Sequence, residues 1–182
     1  MNHRTIAIIG AGPAGSTLAA LLAQRGEPVV IFDDGRRPEL IVGESLVPAI
    51  IPLLRRLGIE EQVAEIAVHK PGVSFVFGEL ESIDFTFRAV TSCGLPTYAY
   101  NVPRPAFDQL IEQAAEKAGA HRVRARAKVT AHGDRLVLDA ESLALAPQLG
   151  GRQPDLIVDA TGRSRLFGRL LDIPAETGPR RD

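Results

Sequence analysis

An α/β fold built on a parallel sheet is what this sequence of 182 residues predicts. Three observations carry the prediction. The apolar run Thr5-Ile6-Ala7-Ile8-Ile9 reads as a fully buried strand and leads straight into Gly10-Ala11-Gly12-Pro13-Ala14-Gly15. That glycine loop opens a helix-like stretch, Pro13 to Arg25. A second apolar run, Val29–Phe32, then ends at Asp33-Asp34-Gly35. Strand, glycine loop, helix and strand complete a βαβ unit of about 30 residues, the usual length of one.

The first helix shows Leu18, Leu21 and Leu22 at helical spacing and Gly26 at its end. Arg36 to Gly43 reads as a loop. Leu46 to Leu57 is helical in pattern, with Pro48 and Pro52 complicating its first half and Gly58 stopping it; Glu60–Ala67 reads as a further short helix. The texture then changes. Val73-Ser74-Phe75-Val76-Phe77 and Ile83-Asp84-Phe85-Thr86-Phe87 alternate, which predicts strands with one face exposed. Tyr98-Ala99-Tyr100-Asn101-Val102 reads as a third strand of this kind. Pro105–Ala118 returns to helix, with Phe107, Leu110, Ile111, Ala114 and Ala115 on one face and Gly119 as its cap. His121–Arg126 and Lys128–Ala131 read as short strands, and Arg135–Asp139 with Ser142–Ala146 as the arms of a hairpin. Gln148 to Pro154 is a loop, and Leu156–Val158 an apolar strand that ends at Asp159-Ala160-Thr161-Gly162.

Composition excludes several function classes. A formal net charge of −1 gives no global field toward nucleic acid or an anionic membrane. The basic run Arg122 to Lys128 has no aromatic partners and reads as a solvated strand face. No apolar run approaches the roughly 20 residues of a membrane span. The single cysteine, Cys93, forms no intramolecular disulfide and reads as a small buried or loop thiol, which suits a reducing, cytoplasmic setting. The histidines His3, His69, His121 and His132 are scattered, without metal-ligand spacing, and no metal is expected.

The chemistry begins at the glycine loop. Gly10 permits the tight turn out of the strand, Gly12 lets a pyrophosphate approach the backbone, and Gly15 lets the helix pack closely on the strand. Pro13 and Ala14 start the helix, whose N-terminal N–H groups and partial positive charge suit phosphate. Asp33, at the end of the second strand, can accept hydrogen bonds from a ribose diol. A dinucleotide site in a Rossmann-like sheet follows from these residues in this order. They do not choose between FAD and NAD.

Further motifs make that choice by resemblance. Gly43-Glu44-Ser45-Leu46-Val47-Pro48 resembles the Gly-Glu-Ser signature of the flavin-dependent halogenases and of the related geranylgeranyl-reductase-like and monooxygenase flavoproteins. Asn101-Val102-Pro103-Arg104-Pro105-Ala106-Phe107-Asp108 resembles the arginine-containing helix start of the same group, and Leu156 to Ser164 its second flavin motif. The resemblance implies FAD as cofactor, with Gly43, Glu44 and Ser45 against the isoalloxazine ring. It implies Arg104 on cofactor phosphate or ribose oxygens, and Asp159, Thr161 and Gly162 near the cofactor. Thr161-Gly162 stands where aromatic hydroxylases usually carry Asp-Gly, which favours the halogenase- or reductase-like branch. Lys70-Pro71-Gly72-Val73-Ser74-Phe75 aligns with the segment that carries the halogenases' essential lysine, so Lys70 and Glu44 are the catalytic candidates.

The implied organisation is an FAD-binding domain in two parts, 1–72 and 103–182, around the antiparallel strands 73–102 of an incomplete substrate domain. The implied activity is oxygen or halogen transfer to a small organic substrate through a flavin hydroperoxide, with a separate flavin reductase as electron source. Two alternatives stand beside it. One is an ene-reductase of the geranylgeranyl-reductase kind. The other is a non-catalytic FAD-binding portion that needs a partner, such as the C-terminal half that enzymes of this group carry.

Overall fold

The structure is a computed structural model that describes residues 4–37, 42–78, 81–90, 94–133 and 135–175. Cys93, His3, part of the expected loop at 36–43 and the last residues, 178–182, lie outside the described residues. In chain order the elements are β1 (Ile6–Ile9), α1 (Pro13–Ala23), β2 (Val29–Phe32), α2 (Ile51–Leu57), α3 (Glu60–Ile66), β3 (Val68–Lys70), β4 (Gly72–Phe77), β5 (Glu81–Thr86) and α4 (Phe87–Val90). There follow β6 (Ala99–Asn101), α5 (Arg104–Lys117), β7 (His121–Val123), β8 (Val129–His132), β9 (Arg135–Leu138), α6 (Ala140–Ala144), β10 (Leu156–Asp159) and α7 (Leu166–Leu170). They form two compact units, Met1–Arg36 with Ala115–Asp182, and Arg37–Ala114.

The first unit holds the parallel sheet, in the order β10-β1-β2-β7. Ile6 lies opposite Leu156 on one side and Val29 on the other, so β1 is flanked by strands along both edges. All residues of β1 and β2 are buried, which is why they read as continuous apolar runs rather than alternating ones. One core gathers Ala7, Ile9, Val30, Phe32 and Val123 from the sheet with Val129 and Leu138 of the β8–β9 hairpin. The period of two along β1 and β2 puts these sheet residues on a single face.

Two expectations change here. The buried face of α1 is Gly15, Ser16, Ala19 and Ala20, whereas Leu18, Leu21 and Leu22 are only half-buried. Small residues allow the helix backbone to approach β1 and β2 closely, and the leucines flank that contact line. The expected hairpin of Arg135–Asp139 with Ser142–Ala146 does not form. Arg135–Leu138 pairs instead with Val129–His132, turning at Gly133 with φ +63°. Residues 140–144 are helical because Asp139 caps them: its carboxylate accepts from the Ser142 N–H at 2.8 Å.

In the second unit β3 pairs antiparallel with β6, Lys70 opposite Ala99, and a bridge joins Ser45 to Asn101. The Leu46 N–H donates to the Tyr100 carbonyl and the Val102 N–H to that of Glu44. Residues 44–46 are thus extended beside β6. β4 and β5 form an antiparallel hairpin from Gly72↔Thr86 to Phe77↔Glu81. The alternation predicted one exposed face, yet β5 is exposed throughout and β4 from Ser74 onward. Phe87 leaves the strand and begins α4. The helix expected over Leu46–Leu57 forms only from Ile51, after a 3-10 turn at Pro48–Ile50, because Pro52 has no N–H to donate to the Pro48 carbonyl in an earlier α-helical turn.

Candidate functional site

The glycine loop occupies the end of β1 in the first unit. Gly10 has φ +108°, and a Cβ there would lie 2.6 Å from the Ala160 carbonyl oxygen. A Cβ on Gly15 would lie 2.0 Å from the Gly10 oxygen and 3.1 Å from the Ala160 Cβ. Gly10 is therefore required by close packing against the turn that follows β10, and Gly15 by close packing against Gly10 itself. Gly12 differs: a Cβ there would meet nothing within 4 Å. The loop is tight beneath Gly10 and Gly15 and open at Gly12, the shape a pyrophosphate needs to reach the backbone. α1 starts with Gly12 as N-cap and Pro13 in its first turn, with no side chain capping it. Ser16, fully buried, donates its hydroxyl to the Ala11 carbonyl at 3.0 Å and braces the loop from within. The sequence reading passed over Ser16, though a hydroxyl on the buried face of an otherwise apolar helix start is a legible sign of such a brace.

Asp33 follows β2 directly. Its N–H donates to the Val123 carbonyl at 3.0 Å, and its side chain is only 6% exposed. The Arg122 guanidinium donates to Asp33 Oδ2 at 2.6 Å from a side chain 15% exposed. Arg122 thus departs from the solvated face expected for the basic run, although Arg124, Arg126 and Lys128 are exposed.

After β10, the Asp159 carboxylate organises its own turn. Oδ1 accepts from the Thr161 N–H at 3.0 Å and its hydroxyl at 2.6 Å, and Oδ2 accepts from the Phe167 N–H at 2.7 Å. Burial alone would raise the Asp159 pKa, but these hydrogen bonds and nearby Arg169 outweigh it, so the carboxyl titrates below its ordinary value. Gly162 has φ +59° and opens the 3-10 turn Gly162–Ser164. The first and last flavin-type motifs meet in this unit through Gly10, Gly15 and Ala160.

In the second unit Arg104 grips Asp108 with two parallel bonds, Nε to Oδ1 at 2.8 Å and Nη2 to Oδ2 at 3.0 Å. Its Nη1 donates to the Val42 carbonyl. The hydrogen bond to Asp108 holds the guanidinium pKa above its ordinary value despite burial. Gly43, at φ +92°, brings its backbone so close that a Cβ would lie 3.1 Å from that Nη1. Arg104 therefore clamps the start of the Gly-Glu-Ser segment to α5. Asp108, its partner, is signalled by the i,i+4 spacing.

Glu44 is exposed and lies in extended backbone, ahead of the 3-10 turn whose N-cap is Val47, so helix-dipole stabilisation does not account for it. Lys70, at the end of β3, reaches across β6: its Nζ donates to Ser45 Oγ at 2.6 Å and to the Leu46 carbonyl at 3.1 Å. The ammonium also lies 5.5 Å from the centre of the Phe87 ring. Lys70 and Ser45, read from separate motifs, are one hydrogen-bonded pair. Among the described residues no group of His, Cys, Asp and Glu could hold a metal ion, and no helix is long and apolar enough to cross a membrane.

Comparison with known proteins gives a consistent set of relatives. The model of a family described as "FAD binding domain" matches residues 3–141. A flavin-dependent halogenase of Armillaria mellea is 34% identical over 130 residues, covering 66% of this chain and 24% of the relative. The 1H-pyrrole-2-carbonyl-(peptidyl-carrier protein) chlorinase of Pseudomonas fluorescens is 29% identical over 189 residues, covering 92% of this chain and 41% of the relative. Among solved structures, the flavin-dependent halogenase CmlS superposes with a TM-score of 0.74 at 31% identity, over 94% of this chain and 32% of its own. The chain spans less than half the length of each of these relatives.

Proposed function

From the premise that this chain belongs to the FAD-binding-domain family, we propose that it is the FAD-binding portion of a halogenase-like flavoenzyme acting on a small organic or carrier-bound substrate. The residues fit the cofactor: the loop is open at Gly12 alone, and a buried carboxylate stands at the end of β2. Bound and reduced, FAD supplies the oxygen chemistry, with electrons from a separate flavin reductase. The chain's own residues bind and orient. Gly10, Gly12 and Gly15, with Pro13 and Ala14 at the helix start, receive the pyrophosphate. Asp33 accepts the ribose hydroxyls. In the first unit Asp159 fixes Thr161 and Gly162 as a cofactor-contacting turn, and in the second Arg104 fixes the start of the Gly43-Glu44-Ser45 segment as a flavin-contacting one.

Lys70 is the proposed halogen-handling group. The observation that carries this role is the 2.6 Å hydrogen bond from its Nζ to Ser45 in the Gly-Glu-Ser segment. Two of the three ammonium N–H groups are directed to Ser45 and Leu46, which fixes the direction of the third. A fixed N–H donor can hold and orient a hypohalous acid by hydrogen bonding.

The test starts with the absorbance spectrum of the purified chain and identification of the released cofactor. FAD is expected; a chain that takes up no flavin removes the reading. Lys70→Ala is expected to abolish halogen transfer while leaving FAD affinity within about twofold. Undiminished halogenation by that variant, or none by the parent protein, ends the role given to Lys70.

A further inference from the structure

The Arg122–Asp33 pair is not needed to hold the sheet together, yet it is the most buried ion pair described in either unit. β7 already pairs with β2 in parallel register, with Ile31 opposite Arg122 and Phe32 opposite Val123. The Asp33 backbone is separately tied to Val123 at 3.0 Å. What the guanidinium adds is control of the carboxylate itself. A carboxylate at a strand end turns about its last side-chain bond, and a diol is gripped well only when both oxygens face it. One short, charge-assisted bond at 2.6 Å to Oδ2 fixes that rotation. It also sets a positive charge against the carboxylate close to the glycine loop, since Gly10 N–H donates to the carbonyl of Phe32, the residue before Asp33.

We propose that Arg122 is a positioning residue for the adenosine ribose of the cofactor, acting through Asp33 and not by touching the nucleotide. The inference rests on the reading of Asp33 as the ribose acceptor. Arg122 belongs to the ribose and not to the phosphates, so its effect depends on whether the ligand carries ribose hydroxyls.

The experiment is competition against FAD on the full chain, followed by flavin fluorescence, with ADP and 2′,3′-dideoxy-ADP as competitors. Arg122→Ala, Arg122→Lys, Asp33→Asn and the Arg122→Ala/Asp33→Asn double variant are compared, each with its thermal midpoint. Arg122→Ala is expected to weaken FAD and ADP by about tenfold and to leave dideoxy-ADP unchanged. Arg122→Lys is expected to recover part of the loss. The double variant is expected to bind no more weakly than Asp33→Asn alone. If Arg122→Ala does not fold, the lysine variant carries the test, with a smaller loss again confined to the ligands bearing hydroxyls. Equal loss for ADP and dideoxy-ADP, or no loss for either, overturns the proposal. Asp33→Asn distinguishes the two failures: if it leaves ADP binding intact, the reading of Asp33 falls first and the role of Arg122 with it. If it weakens ADP while Arg122→Ala does not, only the role of Arg122 falls.

Discussion

Gly12 and Gly15 sit in one loop and look alike in sequence, but the structure gives them different tasks. A Cβ on Gly15 would lie 2.0 Å from the Gly10 oxygen, a backbone atom that cannot step aside. Gly15→Ala is expected to cost at least ~2 kcal/mol of stability, read as a lowered unfolding midpoint in denaturant. Gly12 has an ordinary φ of −69° and open space beside it. Gly12→Ala is expected to cost no more than about 1 kcal/mol while sharply weakening FAD binding, measured by flavin titration. Equal effects of the two substitutions on folding would contradict this division. Both positions were legible in the sequence, because glycine spacing after a strand states a backbone requirement directly. Arg122 was not: its partner lies 89 residues earlier, and a basic run carries no sign of which member turns inward. Arg104 lay between these cases. Its place before a helix was readable, but its tie to the Val42 carbonyl, 62 residues away, was not.

At the scale of elements, short-range chemistry decided where periodicity was ambiguous. Arg135 to Ala146 contains two apolar stretches that fit a hairpin, but Asp139 and Ser142 form a cap and turn the second into α6. The residues of α6, Ala-Glu-Ser-Leu-Ala, favour helix as well. Gly72 is the first residue of β4, pressed against β5 so that a Cβ would lie 2.1 Å from the Phe85 oxygen. Gly72→Ala is expected to open this end of the hairpin, seen as faster amide exchange across β4 and β5 with β1 and β2 unchanged. The turn after β10 carries a pH dependence. Asp159 titrates below 3.8, its ordinary value, so its ionised form stabilises the fold. That stabilisation is complete above the unfolded value and is lost as pH falls through the lower folded one. Asp159→Asn is expected to cost ~2 kcal/mol near neutral pH and to flatten the fall in thermal midpoint below pH 4. An unaltered acid limb would refute the assignment.

For the whole molecule, the parallel sheet was the most legible part, since strands buried on both faces announce themselves as apolar runs. The β4–β5 hairpin was legible as strands but not in its surroundings: Phe75, Val76, Phe77, Ile83 and Phe85 are all exposed. Alternation describes a sheet with a core against one face, and among the described residues neither face of β5 has one. Paired substitution of Val76 and Ile83 by Thr is expected to leave the thermal midpoint within about 2 °C while reducing binding of a hydrophobic dye. A large fall in the midpoint would mean that these side chains support the fold after all. The place of β1 has a consequence for synthesis. Ile6 is registered against Leu156, and the Thr5 N–H donates to the carboxylate of Asp155, 150 residues later. During synthesis β1 emerges before β10 and pairs with β2, and its other edge stays open while everything between β2 and β10 is made. The nucleotide-binding sheet therefore stays open at one edge from the synthesis of β1 until that of β10. An open apolar edge exposed for that interval is where a nascent-chain chaperone is most needed.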